Sequence, residues 1–288
     1  RHIFEVKRRP ATNPLIVHLA TVAQLSDYVA TLPDTAWQLI TTFCPGPLTL
    51  VLPRTQIVPD IITGGRDTVA VRFPKHPLTR ALLRETGVGL AAPSANPYGY
   101  ISPTTAHHVD RMLGNHIPYI LDGGSCTYGI ESTIIGFPDG KPTIYRAGSI
   151  TRRQIEQIIG TVHQYEGHEI HSPGMMAGHY SPTTPLFISS DIHTAAADAS
   201  DGDTGIICHS AYIPGIPRHH QIVLSHNADL PTAAKNLYAA LHEMDLRGYK
   251  RILIEQLPAD GVGEALNDRL KRAATPHITT TISHKQPL

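Results

Sequence analysis

Four clusters of polar side chains carry residue types that bind and activate anions. The first is VKRRPATNPLIVH, where Lys7, Arg8 and Arg9 precede Asn13 and then His18. Taken alone, such a cluster reads as a solvated basic face at a helix C-terminus, where cations are mildly favourable. The second cluster weakens that reading. TVAVRFP sets Arg72 among apolar, strand-forming residues, and an unpaired charge is costly to bury there. A planar guanidinium in that setting pairs with a carboxylate or a phosphate, so Arg72 belongs to a structural ion pair or to a ligand. The third cluster is LAAPSANPYGYISPT, with Ser94 and Asn96 in a Gly and Pro turn after a buried strand, where open α/β sheets place ligands. The fourth joins ESTIIGF to PTIYRAG and sets Ser132 and Arg146 on neighbouring strands. Each Ser or Asn taken singly is ordinary turn chemistry. Four clusters, each at the edge of a strand, are hard to reconcile with structure alone.

The elements that must position them follow from periodicity and punctuation. RHIFEVKRR has the pattern of a helix end, and LIVHLA is a short strand entered through Asn13 and Pro14. QLSDYVATL and DTAWQLITTF are helical, whereas LTLVLP and TVAVRFP are strands rich in β-branched residues. PLTRALLRE opens as a helix at Pro77, and VGLAAP is a buried strand. SPTTAHHVDRML predicts a helix capped by Ser102 with Pro103 in its first turn, whose free N–H groups would hold an anion. YILDGG, ESTIIGF and PTIYRAG predict three strands, and Thr151 with Gln154 predicts a capping box opening TRRQIEQIIG. Beyond HSPGMMAGHYSP the texture becomes strand and helix in turn, the grammar of a doubly wound sheet. Leu230, Ala234, Leu237, Leu241 and Met244 form a buried helical stripe there, and Val262, Leu266 and Leu270 form another.

Composition removes several function classes. The 288 residues carry 24 basic and 24 acidic side chains and 6% aromatics, so nothing global draws the chain to nucleic acid or membrane. Cys44, Cys126 and Cys208 form no CxxC pair, which argues against a zinc knuckle or a secreted disulfide framework and for a reducing cytoplasm. No apolar run approaches transmembrane length. Gly140-Lys141 lacks the rest of a Walker A loop, and the GVG sequences after Thr86 and Asp260 are incomplete dinucleotide fingerprints. His168-Glu169-Ile170-His171 lacks both HExxH spacing and a third ligand, so no resident metal site is expected.

KRRPATNPLIVH, TVAVRFP, APSANPYGYISPT, ESTI and YRAG, in this order, resemble the YrdC-type domain of threonylcarbamoyl-AMP synthases. SPGMMAGHYSP resembles the interdomain linker of the family's longer members. The resemblance implies an α/β architecture: a YrdC-like twisted mixed sheet domain over 1–165, a linker or lid over 166–184 and a smaller Rossmann-like domain over 185–288. It implies synthesis of L-threonylcarbamoyladenylate from L-threonine, bicarbonate and ATP, for a modified adenosine of tRNA, with magnesium arriving on ATP. Lys7, Arg9 and Arg72 are then the catalytic cations. Arg9, Asn13, Thr68, Ser94, Asn96, Ser102, Arg146 and Tyr180 meet ATP, with Tyr180 reaching over from the linker, while His18, Arg72, the backbone near Ala92, and Ser132 meet threonine. The implied partners are proteins that transfer the product to tRNA, with weak RNA binding and no membrane. The family's early PTxTxYG segment has no counterpart here, and the chain opens on Arg1, so an N-terminal part of the domain is expected to lie outside this sequence. Two other readings stay open, an RNA-binding module gripping phosphates with the same cations and a carbamoyl transferase with another acceptor.

Overall fold

Period-two alternation along five short strands decides which side chains share a face. In the computed structural model, which describes residues 1–167, 180–197 and 202–275, β1 (Ile16–His18), β2 (Leu48–Pro53), β3 (Thr68–Arg72), β4 (Leu90–Ala92), β5 (Thr133–Gly136), β6 (Thr143–Arg146) and β7 (His163–Gln164) form one sheet. Their order is β4-β1-β3-β2-β5-β6-β7. The sheet is mixed: β1 runs parallel to β3 and β2 to β5, while β2 and β3, β1 and β4, and β5 and β6 pair antiparallel. Val17, Leu48, Leu50, Leu52, Val69, Val71, Ile135 and Ile144 point to one face and bury against helices α3 (Asp34–Phe43) and α7 (Arg152–Ile159) through Leu39, Ile40 and Ile155. The remaining positions, among them Ile16, Ala70 and Ile134, face the other way. That second face carries the polar clusters.

Short helices occupy the connections: α1 (His2–Lys7), α2 (Leu25–Tyr28), α4 (Asp60–Thr63), α5 (Pro77–Thr86) and α6 (Ala106–Leu113). The capping box of Thr151 and Gln154 opens α7 as expected. Two local expectations fail. Residues 119–124 form no strand; Tyr119 is 90% exposed, and a strand with no buried face gains nothing from pairing. The helix expected from Ser102 starts only at Ala106, because Thr105, not Ser102, takes the N-cap position and accepts the His108 N–H at 3.2 Å. The residue preceding Pro103 is biased to extended backbone, which disfavours an earlier start.

The second sheet is wholly parallel, with β8 (Leu186–Ser189), β9 (Thr204–Cys208), β10 (Gln221–Val223) and β11 (Arg251–Glu255) in the order β10-β9-β11-β8. Helices α8 (Ile192–Ala197), α9 (Leu230–Leu246) and α10 (Gly263–Ala273) cover it. Ala234, Leu237, Leu241 and Met244 of α9 are buried together with Leu266 and Leu270 of α10, as the stripes predict. Ile101, Ile130 and Tyr180, which lie outside the second sheet, join that same apolar cluster, while the first sheet keeps clusters of its own. Gly129 marks the closest approach: with φ 73° it lies so near the α9 backbone at Ala234 and Lys235 that a Cβ would collide with it. No helix among the described residues is long and apolar enough to cross a membrane.

Candidate functional site

A cavity of about 240 Å³ opens on the second face of the mixed sheet, lined by Arg9, Ile16, His18, Arg72, Ala92, Pro93, Ser94, Glu131, Ser132, Arg146 and Tyr180. Sheet register brings these together from distant parts of the chain. His18 of β1 pairs with Arg72 of β3, and Arg72 pairs with Thr49 of β2. Arg146 reaches the same face through a bulge. The pairing passes from Ile134 with Arg146 to Ile135 with Ile144, so β6 carries the extra residue Tyr145, which resets the alternation.

The α1 helix ends in a left-handed Arg8 (φ 53°) that turns Lys7 and Arg9 inward, both buried. Lys7 Nζ donates to the carbonyl of Ser94 at 2.6 Å and to that of Asn96, anchoring the turn after β4. Burial, reinforced by Arg9, lowers the Lys7 ammonium to about 7. Arg9 Nη2 donates to Asn13 Oδ1 at 2.6 Å and to Pro14 O at 2.8 Å, and burial pulls Arg9 down to about 10. Asn13 and Asn96 are thus holders of the two cations.

Arg72 is the cation whose partner the sequence left undecided. Its Nε donates to Gly46 O at 3.3 Å, and no acidic side chain pairs with it among the described residues. Burial, then Arg146, lowers its pKa. His18 is held neutral, at about 4, by burial and by Arg72 beside it. Its Nδ1 lies 3.3 Å from Leu90 O, which can only accept, so Nδ1 carries the proton and Nε2 offers a lone pair. Ser132 Oγ shares a hydrogen bond of 2.7 Å with Thr49 Oγ1 and accepts from Arg146 Nη2 at 3.1 Å.

Glu131, the neighbour of Ser132 in ESTI, is not singled out by local pattern. It is the only carboxylate in the described lining, and Ser102 Oγ donates to it at 2.7 Å. Arg269 Nε of α10 donates to it at 2.9 Å, and Tyr238 of α9 at 3.1 Å. Burial alone would raise Glu131, but Arg269 and Arg146 outweigh it and hold the carboxyl at about 2. An acid embedded in ESTI was its only sequence signal; nothing pointed to Tyr238 or Arg269. Ser102 is therefore no helix cap; its hydroxyl proton belongs to Glu131. With that carboxylate committed to Arg269, the Arg9, Arg72 and Arg146 side chains leave the cavity positive.

Lys7, Asn13 and Ser102 stand behind the lining, bonded to Ser94, Arg9 and Glu131, and Asn96 is bonded to Lys7 behind them, whereas Thr68 lies four residues, about 13 Å, from Arg72 along β3 and outside the lining. Tyr180 is buried, stacked on Tyr238 with ring centroids 5.7 Å apart, under the Arg269 guanidinium at 5.2 Å. Of the linker or lid expected over 166–184, with HSPGMMAGHYSP at 171–182, residues 168–179 lie outside the described residues, as does the His168 to His171 motif, whereas Tyr180, Ser181 and Pro182 are described. No group of three metal-ligating side chains occurs among the described residues, and Glu131 is already saturated, so these residues do not build a cage for magnesium.

Residues 1–148 match the family model described as Telomere recombination, and residues 150–275 match the one described as Threonylcarbamoyl-AMP synthase, C-terminal domain. The threonylcarbamoyl-AMP synthase of Bacillus subtilis (strain 168) is 39% identical over 286 residues, which cover 95% of this chain and 83% of that protein. The threonylcarbamoyl-AMP synthase of Pyrococcus abyssi (strain GE5 / Orsay) is 36% identical over 290 residues, covering 95% and 84%. A crystal structure of P. abyssi Sua5 complexed with L-threonine superposes with a TM-score of 0.86 at 34% identity, over 96% of this chain and 85% of that one. Both parts of the chain thus lead to one conclusion: it belongs to the threonylcarbamoyl-AMP synthase family.

Proposed function

We propose that the cavity joins L-threonine, bicarbonate and ATP into L-threonylcarbamoyladenylate and releases pyrophosphate. The observation that carries this reading is the Arg9, Arg72 and Arg146 set on one sheet face, with Lys7 behind it and the single lining carboxylate neutralised by Arg269. The reaction needs such a surface. The threonine amine and bicarbonate condense to a carbamate with loss of water, and a carbamate oxygen then attacks the α-phosphorus while pyrophosphate departs. Carbamate and triphosphate repel each other, and fixed cations offset that repulsion and stabilise the charge of the in-line transition state.

In this reading Lys7, Arg9 and Arg72 supply that stabilisation. Arg9, Ser94, Arg146 and Tyr180 meet ATP directly. Asn13 and Asn96 hold Arg9 and Lys7 for it, and Ser102 and Thr68 complete its surroundings. His18, Arg72, the backbone at Ala92, and Ser132 meet threonine. The Nε2 lone pair of His18 and the Ser132 hydroxyl suit the ammonium and hydroxyl of the amino acid, and Arg72 suits its carboxylate. Magnesium arriving with ATP would supply further positive charge against the triphosphate. An acyl phosphate anhydride hydrolyses readily in water, so the product passes to proteins that transfer it to tRNA.

The test is pyrophosphate release with each substrate withheld in turn. Release is expected to require both threonine and bicarbonate, and release independent of threonine overturns the assignment. Ser132→Ala is expected to raise the KM for threonine roughly tenfold, the scale of one lost hydrogen bond, and to leave that for ATP within about twofold. Ser94→Ala is expected to do the reverse. Equal effects of either variant on both substrates would merge the two subsites.

A further inference from the structure

We infer that Arg269 and Tyr238, which belong to the second sheet's helices, are positioning residues of the cavity: they hold Glu131 so that it orients the Ser102 hydroxyl, and Arg269 also holds the strand end after Arg146. The inference rests on the reading of the cavity as the nucleotide site.

Three side chains of α9 and α10 converge on this point. Arg269, 1% exposed, donates through Nε to Glu131 and through Nη2 to the carbonyl of Ala147 at 2.7 Å, the residue that follows Arg146. Tyr238 donates to Glu131, at 3.2 Å from Oε1 and 3.1 Å from Oε2. His242 Nε2 lies 3.2 Å from the carbonyl of Ser102, so both ends of that residue are governed from the far side of the interface.

The chemistry of Glu131 gives the arrangement a purpose. An ionised carboxylate only accepts, so the one proton of the Ser102 hydroxyl points at Glu131 and that hydroxyl can meet a ligand only through its lone pairs. Those lone pairs suit a hydroxyl or amino group of a nucleoside and repel phosphate oxygen. A buried ion pair is seldom more stabilising than apolar packing of the same volume, and the apolar cluster around Tyr180, Leu237 and Leu266 already joins the two parts of the chain. The pair therefore needs a reason other than stability, and fixing the polarity of Ser102 supplies one.

The experiment uses the whole chain and the variants Arg269→Met, Arg269→Lys, Tyr238→Phe and Arg269→Met combined with Glu131→Gln. The groups facing Glu131 are Arg269 with its neighbour Asp268, Tyr238, Tyr180, Arg146 and Ser102. His242 is held at about 4, chiefly by burial and then by His108, and lies below the window from about pH 5.5 to 9 in which kcat/KM is read. Without Arg269 the carboxyl takes up a proton at higher pH. Arg269→Met is expected to raise the KM for ATP roughly tenfold, the equivalent of one pKa unit, and to leave the KM for threonine within about twofold. Its activity should fall toward acid and recover toward alkali. Glu131→Gln in the same background should flatten that limb, Arg269→Lys should restore most of the ATP affinity, and Tyr238→Phe, in which Arg269 and Arg146 still hold the carboxyl low, should raise the ATP KM more weakly without a new acid limb.

A folded Arg269→Met protein with the parent's ATP KM and pH profile overturns the inference, as does an equal loss for both substrates with no new pH dependence. Where Arg269→Met fails to fold, an unchanged ATP KM in Tyr238→Phe overturns it. Wild-type protein without threonine-dependent pyrophosphate release would instead refute the proposed reaction. ATP binding to the same variants, followed by calorimetry, would still report on the Glu131 link.

Discussion

Replacing Arg72 by Met should make the fold more stable and the enzyme slower by roughly one to two orders of magnitude. Met keeps most of the side-chain volume and removes the charge. In the free protein that charge is an expense: the guanidinium is largely buried, donates Nε to the Gly46 carbonyl, meets no acid among the described residues, and feels Arg146 as a second cation. Losing one donor to a carbonyl costs about 1 kcal/mol. Relief of an unpaired, partly desolvated cation returns about 1–3 kcal/mol, so the balance favours the variant by up to about 2 kcal/mol. For a chain of this length that is a Tm increase of a few degrees, at about 2–4 °C per kcal/mol. In the reaction the same guanidinium is proposed to contact an anion, and a charge-assisted bond is worth roughly 1.5–3 kcal/mol. Turnover at subsaturating threonine should therefore fall roughly tenfold to 150-fold. Thermal unfolding and pyrophosphate release, measured on one preparation, give the two signs. A variant that is less stable yet equally active would refute the reasoning and make Arg72 a structural residue.

Lys7, held near 7 by burial in the free protein, should be mostly neutral at pH 8 and should take up a proton when the triphosphate arrives. ATP binding heats at pH 8 are then expected to vary with the ionisation enthalpy of the buffer, with the sign of proton uptake, and to lose that variation in Lys7→Met; buffer-independent heats would remove Lys7 from the phosphates. His18, near 4, should contribute no titration between about pH 6 and 8, so a rate profile that loses an inflection near pH 6.5 in His18→Gln would contradict its assignment as a neutral imidazole. Gly129→Ala places a Cβ at φ 73° against the α9 backbone. It should cost at least about 1–2 kcal/mol and should disturb Glu131 two residues on, lowering Tm and raising the KM for ATP together. A lowered Tm with an unchanged ATP KM would separate the docking of α9 from the site.

The sequence by itself determined the sign and much of the membership of the site. Lys7, Arg9, His18, Arg72, Ser132 and Arg146 stand out because residue type is local information: a charge inside an apolar strand, or Ser before a β-branched run, is legible without any neighbour. Alternation did the same for the sheet face in β1 and β3, and the helical stripes did so for the core of α9 and α10. What only the tertiary structure decided are pairings between residues far apart. Arg269 and Glu131 are separated by 138 positions, and no propensity or spacing links them. The sheet order, the bulge that turns Arg146 onto the cavity face, and the partner of Ser102 belong to the same class. Ser102 shows why. Its local pattern, Ser before Pro and a run of helix formers, is that of a cap, and the competition was won by a carboxylate that lies 29 residues away and that docking of α9 and α10 delivers. Local rules rank the conformations open to a few neighbouring residues, whereas a buried hydroxyl is satisfied by whichever acceptor the packed elements bring within reach.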